Sequence, residues 1–344
     1  MRSLVGEGEM KIAINGFGRI GRAVLRAWYE RKFFEQGVEC VAINCGNFGD
    51  LAINLHLLQY DSIHGTLHPV SLLTDDTFMV GTHEMSAMFH NEIASITWSD
   101  YNVDVVLECT GKFTSRNKAV QHIEHGAKKV MVSAPCSDAD ATIVYGVNDG
   151  TLSENHQVIS IGSCTTNCLA PLAKLMHENF GIESGFMTTI HAYTNDQVLL
   201  DSIHTDPRRA RSAGLSMIPT STGAAEAIGL VIPELAGKLD GNAIRVPVPN
   251  VSFLELTLNL KKSASVDGIN QCVQGASQGV MREVLAYNAI PLVSIDFNHN
   301  LKSCVFDATQ TKVLNGGYMC KVSAWYDNEW GFANRMLDVL KVWG

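Results

Sequence analysis

The chain is short of several things, and each shortage narrows what it can be. It has no run of about 18 uncharged apolar residues, so no membrane-spanning helix is expected. Proline is scarce, 9 in 344 residues, and the 29 glycines follow no period, which excludes a collagen-like or proline-rich linker protein. Basic residues are outnumbered by acidic ones, 26 to 35, and the net charge is -9. Nucleic-acid binders need a basic face to displace counterions, so nucleic acid is not expected as the main ligand. A local basic pocket for a small phosphorylated substrate remains compatible with that balance. No second Cys/His pair stands at a zinc-ligand spacing, so no metal is expected. Internal repeats and low-complexity segments are lacking too.

The stretch Met1 to Met10 carries Glu7 and Glu9 and no long apolar core. It reads as an extension, or as residues ahead of a start at Met10, and not as a secretory signal. The nine cysteines are odd in number and scattered, which fits free thiols in a reducing compartment and hence the cytoplasm. What the chain does have is apolar residues, 46% of the total, enough for buried cores. At about 100–200 residues per domain, the length predicts about two domains.

A short strand pattern, Lys11–Ile14, runs into Asn15-Gly16-Phe17-Gly18-Arg19-Ile20-Gly21, after which Ile20, Val24, Leu25, Trp28 and Tyr29 recur at helical spacing. A second strand is expected at Val38–Ile43, and further strands at Met79–Val80, Val103–Leu107, Lys129–Ser133 and Thr142–Val144. A connecting helix is expected from Ser115 to Gly126. Alternating strands and helices predict a doubly wound parallel sheet, an α/β domain. From Cys164 the texture changes to α+β. A helix is expected over Thr165 to Phe180, then strands at Gly185–His191, Asn242–Val248 and Val251–Leu260. The last two flank Pro249-Asn250 and read as an antiparallel pair. Tyr193 to Thr220 is long and shows little periodicity, and loops of that length are usually functional. Helices follow at Thr222 to Leu230 and Phe332 to Val342.

Gly16-x-Gly18-x-x-Gly21 is the spacing of a dinucleotide-binding loop. Its first glycine allows the tight turn, its second a close approach to the pyrophosphate, and its third close helix–strand packing. Three glycines alone can simply serve turns; here they follow a strand and open a helix. The acidic residue that usually caps the second strand and binds the ribose is missing, since Asn44 is followed by Cys45 and the first carboxylate is Asp50. Either Asp50 or a backbone group takes its place, or the choice between NAD and NADP is relaxed.

Ser163-Cys164-Thr165-Thr166-Asn167-Cys168 stands at a helix start, where the helix dipole lowers a thiol's pKa and favours a nucleophilic thiolate. The alternatives for Cys164 are an inert buried thiol or a metal ligand. Cys168 heads the stripe Cys168, Leu172, Leu175 and Met176 and reads as core. His191, at the end of a strand, suits proton transfer, but spacing alone does not pair it with Cys164.

Six stretches then resemble the phosphorylating glyceraldehyde-3-phosphate dehydrogenase family, in order from Met10 to the C-terminus. They are Ala13 to Arg22, Ser163 to Cys168, His191 to Thr194, Pro219 to Ala225, Ile244 to Pro249 and Trp325 to Gly331. The resemblance implies a cofactor domain over 10–163, a catalytic domain over 164–327, and a return of 328–344 to the first. Cys164 is then the nucleophile and His191 the base and later acid. Thr194 and Arg245 hold the substrate phosphate. Ser163, Thr165, Arg211, Thr222 and Gly223 hold the attacking inorganic phosphate. Gly16, Phe17, Gly18, Arg19, Ile20, Cys45, Thr110, Gly111, Ser133 and Asn328 line the cofactor site, with Asn328 on the nicotinamide carboxamide. The implied substrates are glyceraldehyde 3-phosphate and inorganic phosphate, the implied cofactor is NAD with NADP possible, and the implied assembly is a homotetramer in which Tyr193–Thr220 packs between subunits. Two departures stand out: the longer loop Cys45–Asp50 without its Asp, and the Asp196-Gln197 pair shared with the sister erythrose-4-phosphate dehydrogenase. The alternatives are that sister activity and a non-catalytic binding role.

Overall fold

The strands that begin the chain are apolar on both faces, as a parallel sheet covered on both sides requires. In the computed structural model the described residues are 9–47 and 49–343. Most of the stretch read as an extension, Met1 to Gly8, lies outside them, as do Phe48 in the loop after the second strand and Gly344. Met10 already opens the first strand, Met10–Asn15. The chain divides into two units, one of residues 1–143, 149–162 and 333–344, the other of residues 144–148 and 163–332.

Among the described residues, the first unit holds a nine-stranded sheet. Its order runs Ala141–Thr142, Val158–Ser160, Lys129–Val132, Val105–Glu108, Met10–Asn15, Val38–Asn44, His83–Met88, Thr77–Val80, Val70–Leu72. The first seven are parallel, and the last two add antiparallel. Strand order reverses around Met10–Asn15, so ligands belong at the carboxyl ends of that strand and its neighbours. The helix Arg19–Glu30 buries Val24, Leu25, Ala27 and Trp28. Its buried Arg26 donates to the carbonyls of Leu58, Gln59 and Gly65, tying the helix to the next connection. The helix expected over 115–126 is two short ones, Arg116–Ala119 and Gln121–Glu124, meeting at Val120. The strand expected at Thr142–Val144 ends at Thr142, because Val144 and Val147 pack into the core of the other unit.

The second unit is a helix-covered sheet. The helix Cys164–Phe180 starts where Ser163 Oγ accepts the Thr166 N–H at 3.0 Å. Sheet order is Ile218–Ser221, Leu239–Val246, Ile182–Ala192, Ser252–Leu260, Met319–Tyr326, Cys304–Asp307, Leu285–Asn288, with Lys312–Leu314 beside Met319–Tyr326. This corrects the expected antiparallel pair around Pro249-Asn250. Leu239–Val246 and Ser252–Leu260 do not pair with each other; Ile182–Ala192 lies between them, parallel to the first and antiparallel to the second. The intervening strand is long enough, at 11 residues, to satisfy both partners. One sheet face packs on Leu169, Leu172 and Met176 of the long helix and on Ile228 and Val273 of two others. The other face leaves Phe186 69% exposed.

Candidate active site

In the first unit three adjacent strands end in buried polar residues, Asn44, Asn15 and Glu108. They form one ladder. Asn44 Nδ2 donates to Asn15 Oδ1 at 2.7 Å, and Asn15 Nδ2 donates to Glu108 Oε2 at 2.6 Å. Glu108 also receives the backbone N–H of Thr110 at 2.7 Å and the Thr110 hydroxyl. Behind it stands buried His122, whose Nε2 lies 3.0 Å from Glu108 Oε2. Trp98 Nε1 donates to His122 Nδ1 at 3.0 Å; indole only donates, so the ring proton of His122 is on Nε2 and points at the carboxylate. The ladder holds Thr110 directly and locks the strand ends from which the loops Gly16–Gly21 and Thr110–Gly111 depart.

Those loops fit a dinucleotide. Gly16 has φ +97°, and a Cβ on Gly21 would sit 2.1 Å from the Gly16 carbonyl oxygen, so both positions require glycine. A Cβ on Gly18 would meet nothing within 4 Å. Gly18 is the N-cap of the helix Arg19–Glu30 and offers no capping side chain, leaving the first-turn amides to an anion. Phe17 is buried, and the Ser133 N–H is spent on the Glu108 carbonyl at 3.0 Å. Ile20 lies in the helix's first turn. Three side chains expected on the cofactor are otherwise engaged or withdrawn. Arg19 is paired with Asp61 through two bonds of 2.6 and 3.2 Å. Burial pushes the Asp61 carboxyl up, but the amides of His64 and Ile63 and the charge of Arg19 outweigh it and hold it at about 2. Cys45 is only 3% exposed, and burial pushes its thiol up to about 12. Asp50 does not fold back across the strand end: it caps the helix Leu51–Gln59, accepting the Ile53 N–H at 2.9 Å.

In the second unit Cys164 Sγ and His191 Nε2 are 3.5 Å apart. The long helix presents the thiol from its first turn, and the strand Ile182–Ala192 presents the imidazole near its end. His191 Nδ1 lies 2.6 Å from the Ala192 carbonyl. A carbonyl only accepts, so Nδ1 carries the proton and Nε2 turns its lone pair to the sulfur. Arg245 Nη1 stands 3.0 Å from His191 Nδ1, donating to the Ala192 carbonyl at 3.0 Å and to Thr194 Oγ1 at 3.3 Å. The helix-start expectation of a lowered Cys164 pKa is overturned. Burial raises it, and the charge of Arg245 with the hydrogen bonds at the helix start recovers only part. Burial, then Arg245, press His191 down to about 3. Thiol and imidazole are thus both neutral at pH 7.

Around this pair the remaining expected groups divide. Ser163 Oγ is at the helix N-terminus, shared with Thr166. Gly223 is the N-cap of the helix Ala224–Val231, with open space where a Cβ would be, and Thr222 Oγ1 accepts the Ala224 N–H at 3.3 Å. The Thr165 hydroxyl is not directed to a ligand. It is buried 2.9 Å from the Tyr326 hydroxyl, which also meets Thr189 at 2.7 Å. Arg211 is not brought to the pair either: its side chain is 68% exposed and bonds Asp201 at 2.8 Å. Asn328 is buried, its Oδ1 accepting from Ser252 Oγ at 2.9 Å.

Residues 10–116 match the family model described as glyceraldehyde 3-phosphate dehydrogenase, NAD binding domain, and residues 163–328 match its C-terminal domain. The chain belongs to the glyceraldehyde-3-phosphate dehydrogenase family. It is 54% identical over 329 residues to glyceraldehyde-3-phosphate dehydrogenase of Pseudomonas aeruginosa, covering 96% of each chain. The Xanthobacter flavus enzyme of that name is 51% identical, with 98% of this chain and 99% of that one covered, and the Mycobacterium leprae enzyme 50%, with 97% and 98% covered. The family is one of NAD-dependent oxidoreductases acting on aldehydes, and relatives so named do not favour the erythrose-4-phosphate alternative. Among the described residues no helix is long and apolar enough to cross a membrane.

One cation whose charge reaches the pair was not singled out from the sequence. Arg209, not Arg211, faces inward. Its Nε donates to Thr220 Oγ1 at 3.0 Å, its Nη1 bonds Asp196, and its charge is felt at both His191 and Arg245. The run Arg208-Arg209-Ala210-Arg211 lies outside any strand or helix, so no periodicity marked which arginine turns in. The usable signal was Asp196, thirteen residues earlier in the same loop and now its partner.

Proposed function

We propose that the chain oxidises D-glyceraldehyde 3-phosphate and phosphorylates the product to 1,3-bisphosphoglycerate, reversibly, with reduction of NAD, as in glycolysis and gluconeogenesis. The observation that carries this is the Cys164–His191 pair at 3.5 Å with Arg245 against the imidazole. Arg245 and Thr194 bind the substrate's phosphate and so place its aldehyde carbon at Sγ. As the sulfur adds, the thiol proton passes to His191 Nε2 and on to the aldehyde oxygen, giving a hemithioacetal. His191 Nε2 then removes that hydroxyl proton while hydride departs, leaving a thioester on Cys164. Bound NAD supplies the hydride acceptor. Inorganic phosphate attacks the thioester carbonyl, and His191 returns a proton to the departing sulfur.

Ser163, Thr222, Gly223 and Arg209 are the proposed site of the attacking phosphate, with Thr165 contributing its backbone rather than its hydroxyl. The cofactor site comprises Gly16, Gly18, Thr110, Gly111 and Asn328, with Phe17 and Ile20 shaping the loop. NAD is the main cofactor. NADP is turned over too, because among the described residues no carboxylate stands at Cys45 to repel a 2′-phosphate, but more weakly, because no Arg or Lys lies between Asn44 and His56 to bind one. The two domains are proposed as 10–163 with 328–344, and 164–327. The nine free thiols favour the cytoplasm. The exposed apolar face of the second unit favours a homotetramer.

The test is reduction of NAD by glyceraldehyde 3-phosphate with and without phosphate, repeated with NADP. Cys164→Ser should keep the fold and NAD binding and lose nearly all turnover; wild-type rates in that variant would refute the assignment.

A further inference from the structure

Two short segments, Asn250–Ser252 and Asp327–Asn328, are gripped together side by side. Asn250 Nδ2 donates to Asp327 Oδ2 at 2.8 Å. Asp327 in turn takes the N–H groups of His299, Glu329 and Trp330, at 2.7, 3.0 and 2.7 Å. Ser252 Oγ donates to Asn328 Oδ1 at 2.9 Å. Between the two gripping residues, Val251 is held at φ +67°, a conformation that β-branched residues rarely adopt. It is buried with Phe297 and Val305. Such strain persists only where the surroundings over-determine it, and it concentrates at functional positions.

Ser252 has a second bond that points to the chemistry. Its Oγ accepts the backbone N–H of Ala192 at 3.1 Å, and Ala192 follows His191 and supplies the carbonyl that fixes the imidazole tautomer. Ser252 is 1% exposed, so neither bond is shared with bulk water. Its single proton has one acceptor among the described residues, Asn328 Oδ1. The opposite orientation of the amide would set an NH2 group against Oγ and leave the buried hydroxyl proton without an acceptor. The amide is therefore held by its oxygen, and Nδ2, which has no partner among the described residues, is the end left to donate.

We infer that Ser252 is a positioning residue for the reaction: one hydroxyl orients the Asn328 carboxamide and anchors the backbone beside His191. The inference rests on the reading of Asn328 as the group that holds the nicotinamide carboxamide. Nδ2 then offers a donor suited to the carboxamide oxygen, and the register between cofactor ring and base depends on Ser252.

The experiment compares binding of NAD with binding of ADP-ribose, which lacks the nicotinamide, by calorimetry on the full-length protein. Asn328→Ala should weaken NAD about tenfold and leave ADP-ribose within about twofold, as loss of one buried hydrogen bond predicts. Ser252→Ala should do the same, and should add little in the Asn328→Ala background. If Asn328→Ala is selective for NAD but Ser252→Ala leaves the NAD to ADP-ribose ratio at its wild-type value, the inference is overturned and the Asn328 reading stands. If Asn328→Ala changes both ligands equally or neither, that reading fails and the inference with it. Thermal melting monitors folding. Should Ser252→Ala not fold, Ser252→Cys, similar in shape and a weaker hydrogen bonder, decides the matter by the same ratio.

Discussion

At the scale of single residues, burial first and the charge on Arg245 second govern how the thiol and the imidazole share a proton. A neutral His191 is the form that accepts the Cys164 proton, and burial with Arg245 keeps it neutral down to about pH 3. The unfolded chain binds a proton there from about pH 6.5 downward. The native state's pKa is depressed, so this contribution to stability is complete above about pH 6.5 and is lost as pH falls toward 3. Its limiting slope is about 1.4 kcal/mol per pH unit. The stability difference between wild type and His191→Asn should therefore shift against the wild type as pH is lowered from 7 to 5, measured by urea unfolding. Parallel curves would show that His191 is not held neutral. The arginines give a second expectation. Arg209→Leu should raise the KM for inorganic phosphate, at a cost on the order of 1.5–3 kcal/mol for a charge-assisted contact. Arg211→Leu should leave it near wild type, because an exposed pair such as Arg211–Asp201 contributes about 0–1 kcal/mol. The reverse result would restore Arg211 to the site.

At the scale of elements, what was legible in the sequence was what is local. The turn Gly16–Gly21 and the helix start at Ser163-Cys164 follow from rules that span a few residues, and the structure places both at the ends of their strands. What was hidden is decided by distant partners. Nothing near Pro249-Asn250 announces that Ile182–Ala192 inserts between the strands on either side. The lowered Cys164 pKa failed for a similar reason: the helix end was visible, the burial around the sulfur was not. Nor was the polar ladder Asn44–Asn15–Glu108–His122 visible, since its members are scattered between positions 15 and 122 and meet only where three strands end. That ladder carries its own expectation. His122→Ala removes a buried donor from Glu108 and an acceptor from Trp98, so it should destabilise the protein by about 1.5–3 kcal/mol. NAD affinity should fall with it, since the ladder holds Thr110 and the strand ends that carry both cofactor loops. Unchanged stability by urea unfolding would mean that the ladder is ornamental.

At the scale of the whole molecule, one chain leaves too much apolar surface uncovered in its second unit. Ile203 is 100% exposed, Leu215 84%, Leu199 83% and Met217 75%, all in the segment between Tyr193 and Thr220, and Phe186 stands out from the uncovered sheet face. Soluble monomers rarely leave contiguous apolar patches of more than a few hundred Å² exposed, so a protein surface of matching character is expected to cover them. Further copies of the same chain are the simplest cover, since a symmetric assembly buries the same patch on every subunit. For the proposed homotetramer, light scattering should give the mass of four chains. Ile203→Glu combined with Met217→Glu should shift the protein to smaller species, because two carboxylates would have to be buried without partners. Val280→Glu is the control: it is 91% exposed but lies outside that segment, and the mass should not change. A wild-type mass of one chain would overturn the assembly, and would leave the loop's exposed leucines and isoleucine without an explanation.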